Sequence, residues 1–204
     1  MPQILGKKVG MTQVFSDDGT VTPVTVIAAG PCKVTAVRNE ERDGYKAVQL
    51  AFDEVADHKL TGAQLGHLKK AGAGASRTLV EFRDPDVEFE IGEDVTVESF
   101  EPGQKIKVSA TAIGKGFQGT IKRHNFSRGP MTHGSHNVRA PGSAGASADP
   151  ARIFKGMRMP GRMGGGRVTQ RGLTVHQVDA DNNLLLVKGS VPGPKNGTVE
   201  VRTD

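Results

Sequence analysis

The sequence predicts a mainly β fold, a small barrel or sandwich, that carries one long irregular basic segment. Short β-branched runs recur near both ends of the chain, each bounded by turn residues. Apolar residues within those runs alternate with a period of two, as half-buried strands require. Between Ala110 and Gly172, eleven Lys or Arg residues meet one acid, Asp149, so that segment is formally +10 while the remainder is −5. Two physically different objects share the polypeptide, and the basic one is built to meet a polyanion.

Taken in order, Val9 to Phe15 leads into Ser16-Asp17-Asp18-Gly19, a hairpin-like turn, and Val21 to Ile27 resumes the strand pattern. Cys32 to Arg38 and Tyr45 to Phe52 flank Asp43-Gly44, with Val48, Leu50 and Phe52 alternating onto one face. Thr61 to Ser76 is rich in Ala, Leu and Lys. There Thr61 is a candidate N-cap and Leu65 and Leu68 share a face, so a helix is expected despite its glycines. An acidic stretch from Glu81 to Glu101 has Arg83 as its only base and reads as strand edges and loops rather than a metal site. Val95-Thr96-Val97 and Ile106-Lys107-Val108 return to period two. So do Leu173 to Val178, Leu184 to Val187, and Val199-Glu200-Val201 after an Asn196-Gly197 turn.

From Gly114 to Gly172 neither period holds. The 110–172 segment has thirteen glycines and four prolines but few large apolar side chains. Such a chain buries too little apolar surface to offset its ordering entropy, so disorder when free and order when bound are expected. A solvated linker would explain the charge, but not Ile153-Phe154 and the three methionines at 157, 159 and 163. Apolar side chains among dispersed cations suit packing against folded RNA.

The remaining composition is quickly bounded. Cys32 is the only cysteine, which excludes an internal disulfide and fits a core position in a reducing cytoplasm. No apolar run approaches the roughly 18 residues of a membrane span, and the first residues lack the order of a signal peptide. Gly114-Lys115-Gly116-Phe117-Gln118-Gly119 matches G-x-G-x-x-G, but no acid lies about twenty residues on, and Thr120 to Asn125 opens a packed helix poorly. His133-Gly134-Ser135-His136 has ligand-like spacing without the further ligands zinc requires. No nucleophile, base and orienter suggest themselves. A nucleotide-dependent enzyme is therefore disfavoured, and no cofactor or metal is expected.

Five strings carry a resemblance. They are ILGKKVGMTQVF (Ile4 to Phe15), GKGFQGTIKRHNF (Gly114 to Phe126), GPMTHGSHNVRAPGS (Gly129 to Ser143), RIFKGMRMPGRMGGGRVT (Arg152 to Thr169) and NLLLVKGSVPGPKNG (Asn183 to Gly197). In identity and order they resemble the universal large-subunit ribosomal protein L-three family in its bacterial form. The resemblance implies a closed translation-protein-type β-barrel with a small α/β insertion and a long looped extension reaching toward the peptidyl-transferase region. It implies a barrel body of residues 1–52, 95–112 and 173–204, an insertion of 53–94 and a basic extension of 113–172. It also implies direct binding of large-subunit rRNA, a part in early subunit assembly, neighbouring large-subunit ribosomal proteins as partners, and no enzymatic activity. A cytoplasmic protein without membrane, small-molecule substrate or homo-oligomer is expected.

The residues expected on rRNA are Lys115, Lys122, Arg123, His124, Arg128, His133, His136, Arg139, Lys155, Arg158, Arg162, Arg167 and Arg171. Lys7 and Lys8 are weaker candidates, because lysines on an edge strand are ordinary. Arginine and lysine would act through phosphate contact and counterion release, with His and Phe packing on bases. A non-specific RNA chaperone outside the ribosome is the alternative reading.

Overall fold

The structure is a computed structural model that describes residues 2–16, 18–83 and 89–204. Its strands are β1 (Gln3–Phe15), β2 (Val21–Ala29), β3 (Cys32–Arg38), β4 (Ala47–Glu54), β5 (Ser76–Arg83), β6 (Asp94–Val95), β7 (Lys105–Thr111), β8 (Phe117–Gln118), β9 (Gly161–Arg162), β10 (Arg167–Asp179), β11 (Leu184–Lys188) and β12 (Thr198–Thr203). The helices are α1 (Glu40–Asp43), α2 (Gly62–Lys70) and α3 (Thr120–His124). The protein is mainly β, as its patterning predicts.

Six strands close an antiparallel barrel in the order β1-β12-β7-β10-β11-β2. Their period of two sets the inside. Val199, Val201 and Thr203 of β12 are buried while the residues between them are partly exposed; Ile106, Val108 and Ala110 of β7 are buried likewise, with Ser109 between the last two buried as well. The β1–β2 hairpin joins Phe15 to Val21; Asp17 of its expected turn lies outside the described residues. β12 pairs with β1 only as far as Lys7, so Val9, Met11, Phe15 and Val21 stay exposed on the distal hairpin.

A second sheet, ordered β5-β4-β3-β6, begins at Cys32. Residues 32–52 were expected in the barrel and instead pair with this sheet, because strand patterning reports burial but not which neighbour a strand takes. The crossover is Gly30, at φ +71, where a Cβ would stand 3.0 Å from Ile4 Cδ1 and 3.1 Å from the Val95 carbonyl. One face of the sheet supplies Val34, Val48, Leu50, Phe52 and Phe82 to the same core as Ile4, Leu5, Ile27, Ile106, Leu185 and Val201 of the barrel. Fully burying an aliphatic or Phe side chain contributes about 1.5–3 kcal/mol, so this shared cluster holds the two sheets together. Arg202 of β12 stacks its guanidinium 4.6 Å from the Phe82 ring centre.

The other face carries a small cluster of Ala51, Leu68 and Ala73 beneath α2. Thr61 caps α2 in a reciprocal box. Its hydroxyl accepts from the Gln64 N–H, and its own N–H donates to Gln64 Oε1 at 3.1 Å. Val95 lies on β6, but Val97 opens a 3-10 turn rather than continuing the expected strand, and both side chains reach the core. Residues 84–88 of the acidic stretch lie outside the described residues.

Candidate nucleic-acid interface

Residues 113–166 form a compact unit distinct from the one made by residues 1–112 and 167–204. The chain departs after Thr111 and resumes at Arg167, and these two residues are register partners on β7 and β10. Within 113–166 Thr120 is the only buried residue, so side-chain burial contributes little to its order. Backbone pairing takes that place. The Lys115 N–H donates to the Met163 carbonyl and the Met163 N–H to the Gly116 carbonyl, each at 2.9 Å. Phe117 and Gln118 then pair with Arg162 and Gly161. Gly164, at φ +68, passes so close to the Ile113 carbonyl that a Cβ there would collide with it.

Past this stem the chain turns into α3, which the sequence reading did not expect. Five residues suffice because the N–H of Asn125, in the left-handed region at φ 59, donates to the Thr120 carbonyl and closes the last turn. The helix fixes two side chains. Arg123 Nη1 donates to the Met159 carbonyl at 2.6 Å, and His124 Nε2 lies 3.1 Å from the same oxygen. Further out, the Gly129 N–H donates to the Val138 carbonyl at 2.9 Å, closing the loop that holds His133 and His136.

The residues expected on rRNA fall into two groups. Lys115, Lys122, Arg128, His133, His136, Arg139, Lys155, Arg158, Arg162 and Arg171 are exposed, and make no side-chain hydrogen bond or ion pair among the described residues. Arg123 and His124 are engaged as described. Arg167 pairs with Glu200, which also lies 3.9 Å from Arg202, whose guanidinium burial pulls down in pKa. Lys7 pairs with Asp53 at 2.6 Å, and Lys8 donates to the Val191 and Gly193 carbonyls at 2.7 and 3.1 Å.

Arg167 and Arg171 sit on barrel strand β10, not in an irregular segment. Arg167 to Gln170 pair with Thr111 to Val108, and the strand bulges between Gln170 and Leu173. These β10 residues are exposed, so cross-strand backbone bonds leave no apolar alternation for the sequence to show. The Ser109 and Thr169 hydroxyls, 2.7 Å apart, join the two strands.

Arg152 is a further exposed cation in the 113–166 unit, its guanidinium 5.9 Å from the Phe154 ring centre. Its place among the eleven basic residues was the only signal for it. With Arg152 the unit carries nine Lys or Arg against Asp149 alone. The glycine fingerprint does not build a nucleotide site of the dinucleotide type, because β8 pairs antiparallel with β9 rather than opening a parallel βαβ unit. Among the described residues no three His, Cys, Asp or Glu side chains converge as metal ligands.

The same unit contains a partly open cavity of about 170 Å³. Phe126, Pro141, Met157, Met159 and Pro160 supply apolar lining; Ser143 and Arg158 supply polar lining. Three separate passes of the chain meet there, and the Met159 pass is the one held by Arg123 and His124. Phe126 also lies 6.2 Å from His124, centre to centre.

A family model described as Ribosomal protein L3 matches residues 69–183. The chain is 54% identical over 200 residues to the large ribosomal subunit protein uL3 of Synechococcus sp. (strain JA-3-3Ab), covering 97% of this chain and 94% of that one. It is 52% identical over 200 residues to the protein of the same description from Trichlorobacter lovleyi, covering 98% and 95%. With Natranaerobius thermophilus the figure is 53% over 199 residues, covering 97% and 94%. Similarity across nearly the whole of each chain, together with the barrel and its basic excursion, shows that the chain belongs to the ribosomal protein L3 family.

Proposed function

We propose that this protein is a structural constituent of the large ribosomal subunit that binds large-subunit rRNA through its 113–166 unit. Family membership supports a structural role rather than an enzymatic one. The observation that carries RNA binding is the state of the basic side chains. Nine Lys or Arg residues accompany one acid in a unit with a single buried residue, and most are exposed without a protein partner among the described residues. Cations held this way are available for phosphate contact and counterion release. Arg123 and His124 spend their donors on a backbone carbonyl of the same unit, so they shape the surface that Lys115, Arg128, Arg139, Lys155, Arg158 and Arg162 present. In the assembled subunit this arm organises rRNA near the peptidyl-transferase region and helps early assembly. Its partners there are rRNA and neighbouring large-subunit proteins.

Salt dependence tests the reading. If about half of the basic residues meet phosphates, log K against log salt falls with a slope of about −4 to −5. The Lys155→Ala/Arg158→Ala variant should reduce that slope by between one and two. Competition between large-subunit rRNA and unrelated RNAs at physiological salt separates a ribosomal constituent from a general RNA chaperone. Equal affinity for both would favour the chaperone.

A further inference from the structure

We infer that the cavity lined by Phe126, Pro141, Met157, Met159 and Pro160 is a receptor for one unstacked RNA base, an inference that rests on the RNA-binding reading above. The cavity holds about 170 Å³. That exceeds the roughly 30 Å³ share of one water and falls short of the roughly 300–1,000 Å³ of a drug-sized site. A single flat ring system fits between those limits. The walls match such a guest: a Phe ring, two proline rings and two thioethers offer flat or polarisable surface and little hydrogen-bonding demand.

Two further observations favour an RNA base over an apolar protein segment. Met157 and Met159 are 40% and 37% exposed in a unit with no apolar core to recruit them. Arg158 lies between them in sequence, lines the same cavity and has no ion-pair partner among the described residues, so a guest carrying its own phosphate is matched in charge. The cavity is also braced. Arg123 and His124 both hold the Met159 carbonyl, and the Met157 N–H donates to the Phe154 carbonyl at 3.3 Å. The guanidinium of Arg123 thus acts as a positioning group, with base contact left to Phe126 and the methionines.

The test uses the full-length protein with isotope-labelled methionine methyls, assigned with Met157→Leu and Met159→Leu variants. A short single-stranded RNA should move the Met157 and Met159 methyls upfield by ring current, whereas inorganic polyphosphate of equal charge should not. Phe126→Ala should weaken RNA binding roughly ten-fold with the salt slope unchanged, and Phe126→Tyr should retain it. Salt-dependent RNA binding that leaves both methyls unmoved, or equal movement with polyphosphate, overturns the base receptor while the cationic arm stands. An apolar peptide that moves these methyls when bound RNA does not would assign the cavity to protein and also overturn it. No salt-dependent RNA binding at all would overturn both readings.

Discussion

Cys32 shows how one side chain reports on the whole core. Its thiol is fully buried, donates to the Leu5 carbonyl at 3.4 Å and lies where the barrel hands over to the second sheet. Burial pushes its pKa from 9.0 up to about 12, opposed by the backbone contacts of Leu5 and Gly30. Between those values the unfolded thiol ionises and the folded one does not, so unfolding gains free energy as pH rises through that window. Well below pH 9.0 the group contributes no pH dependence. Unfolding free energies of the wild type and Cys32→Ala from urea titrations should therefore converge as pH rises, by about 2 kcal/mol near pH 10.5. A constant gap would show that the thiol ionises equally in both states. The basic residues teach a related lesson. Arg123, Arg167 and Lys8 look like Lys155 in sequence, yet each is committed to a carbonyl or a carboxylate that lies far away along the chain.

Among the elements, α2 is one whose stability rests largely on local chemistry. Leu68 is its only buried residue and Gly66 sits in its interior, so packing holds it weakly. The Thr61–Gln64 box therefore matters more than a cap on a well-buried helix would. Thr61→Ala should cost about 1 kcal/mol, within the usual range for a lost cap. Hydrogen exchange would check it: α2 amides should lose protection while those of β7 and β12 keep theirs. This helix was legible because N-cap chemistry is local. The short helix α3 was not, since its closure depends on a left-handed Asn125 and its retention on a carbonyl 36 residues beyond Arg123. The β10 residues 167–172 were equally hidden, because a strand can be held by ladder hydrogen bonds while every side chain stays wet.

At the scale of the molecule, the unit of residues 1–112 and 167–204 holds an apolar core built from its own residues. Replacing 113–166 with a short bridge between Ala112 and Arg167 should leave a cooperatively melting β protein, because Thr111 and Arg167 are already paired. It should bind rRNA with a markedly shallower salt slope. A broad, non-cooperative melt by circular dichroism would show that the excursion supports the core. A wider excision, through Gly172, should fail, since it removes four of the six β10 residues in register with β7. The sequence by itself determined the β class, the α2 cap, the core position of Cys32 and the charge division between body and excursion. Those follow from periodicity, capping and composition, which are local quantities. Only the tertiary structure decided that β3 and β4 leave the barrel for a second sheet and that the excursion ends at Gly166. It alone showed which cations are committed inside the protein and where Phe126 meets Met157 and Met159. Each of these depends on contacts between residues distant in sequence, and such contacts leave no periodic trace along the chain.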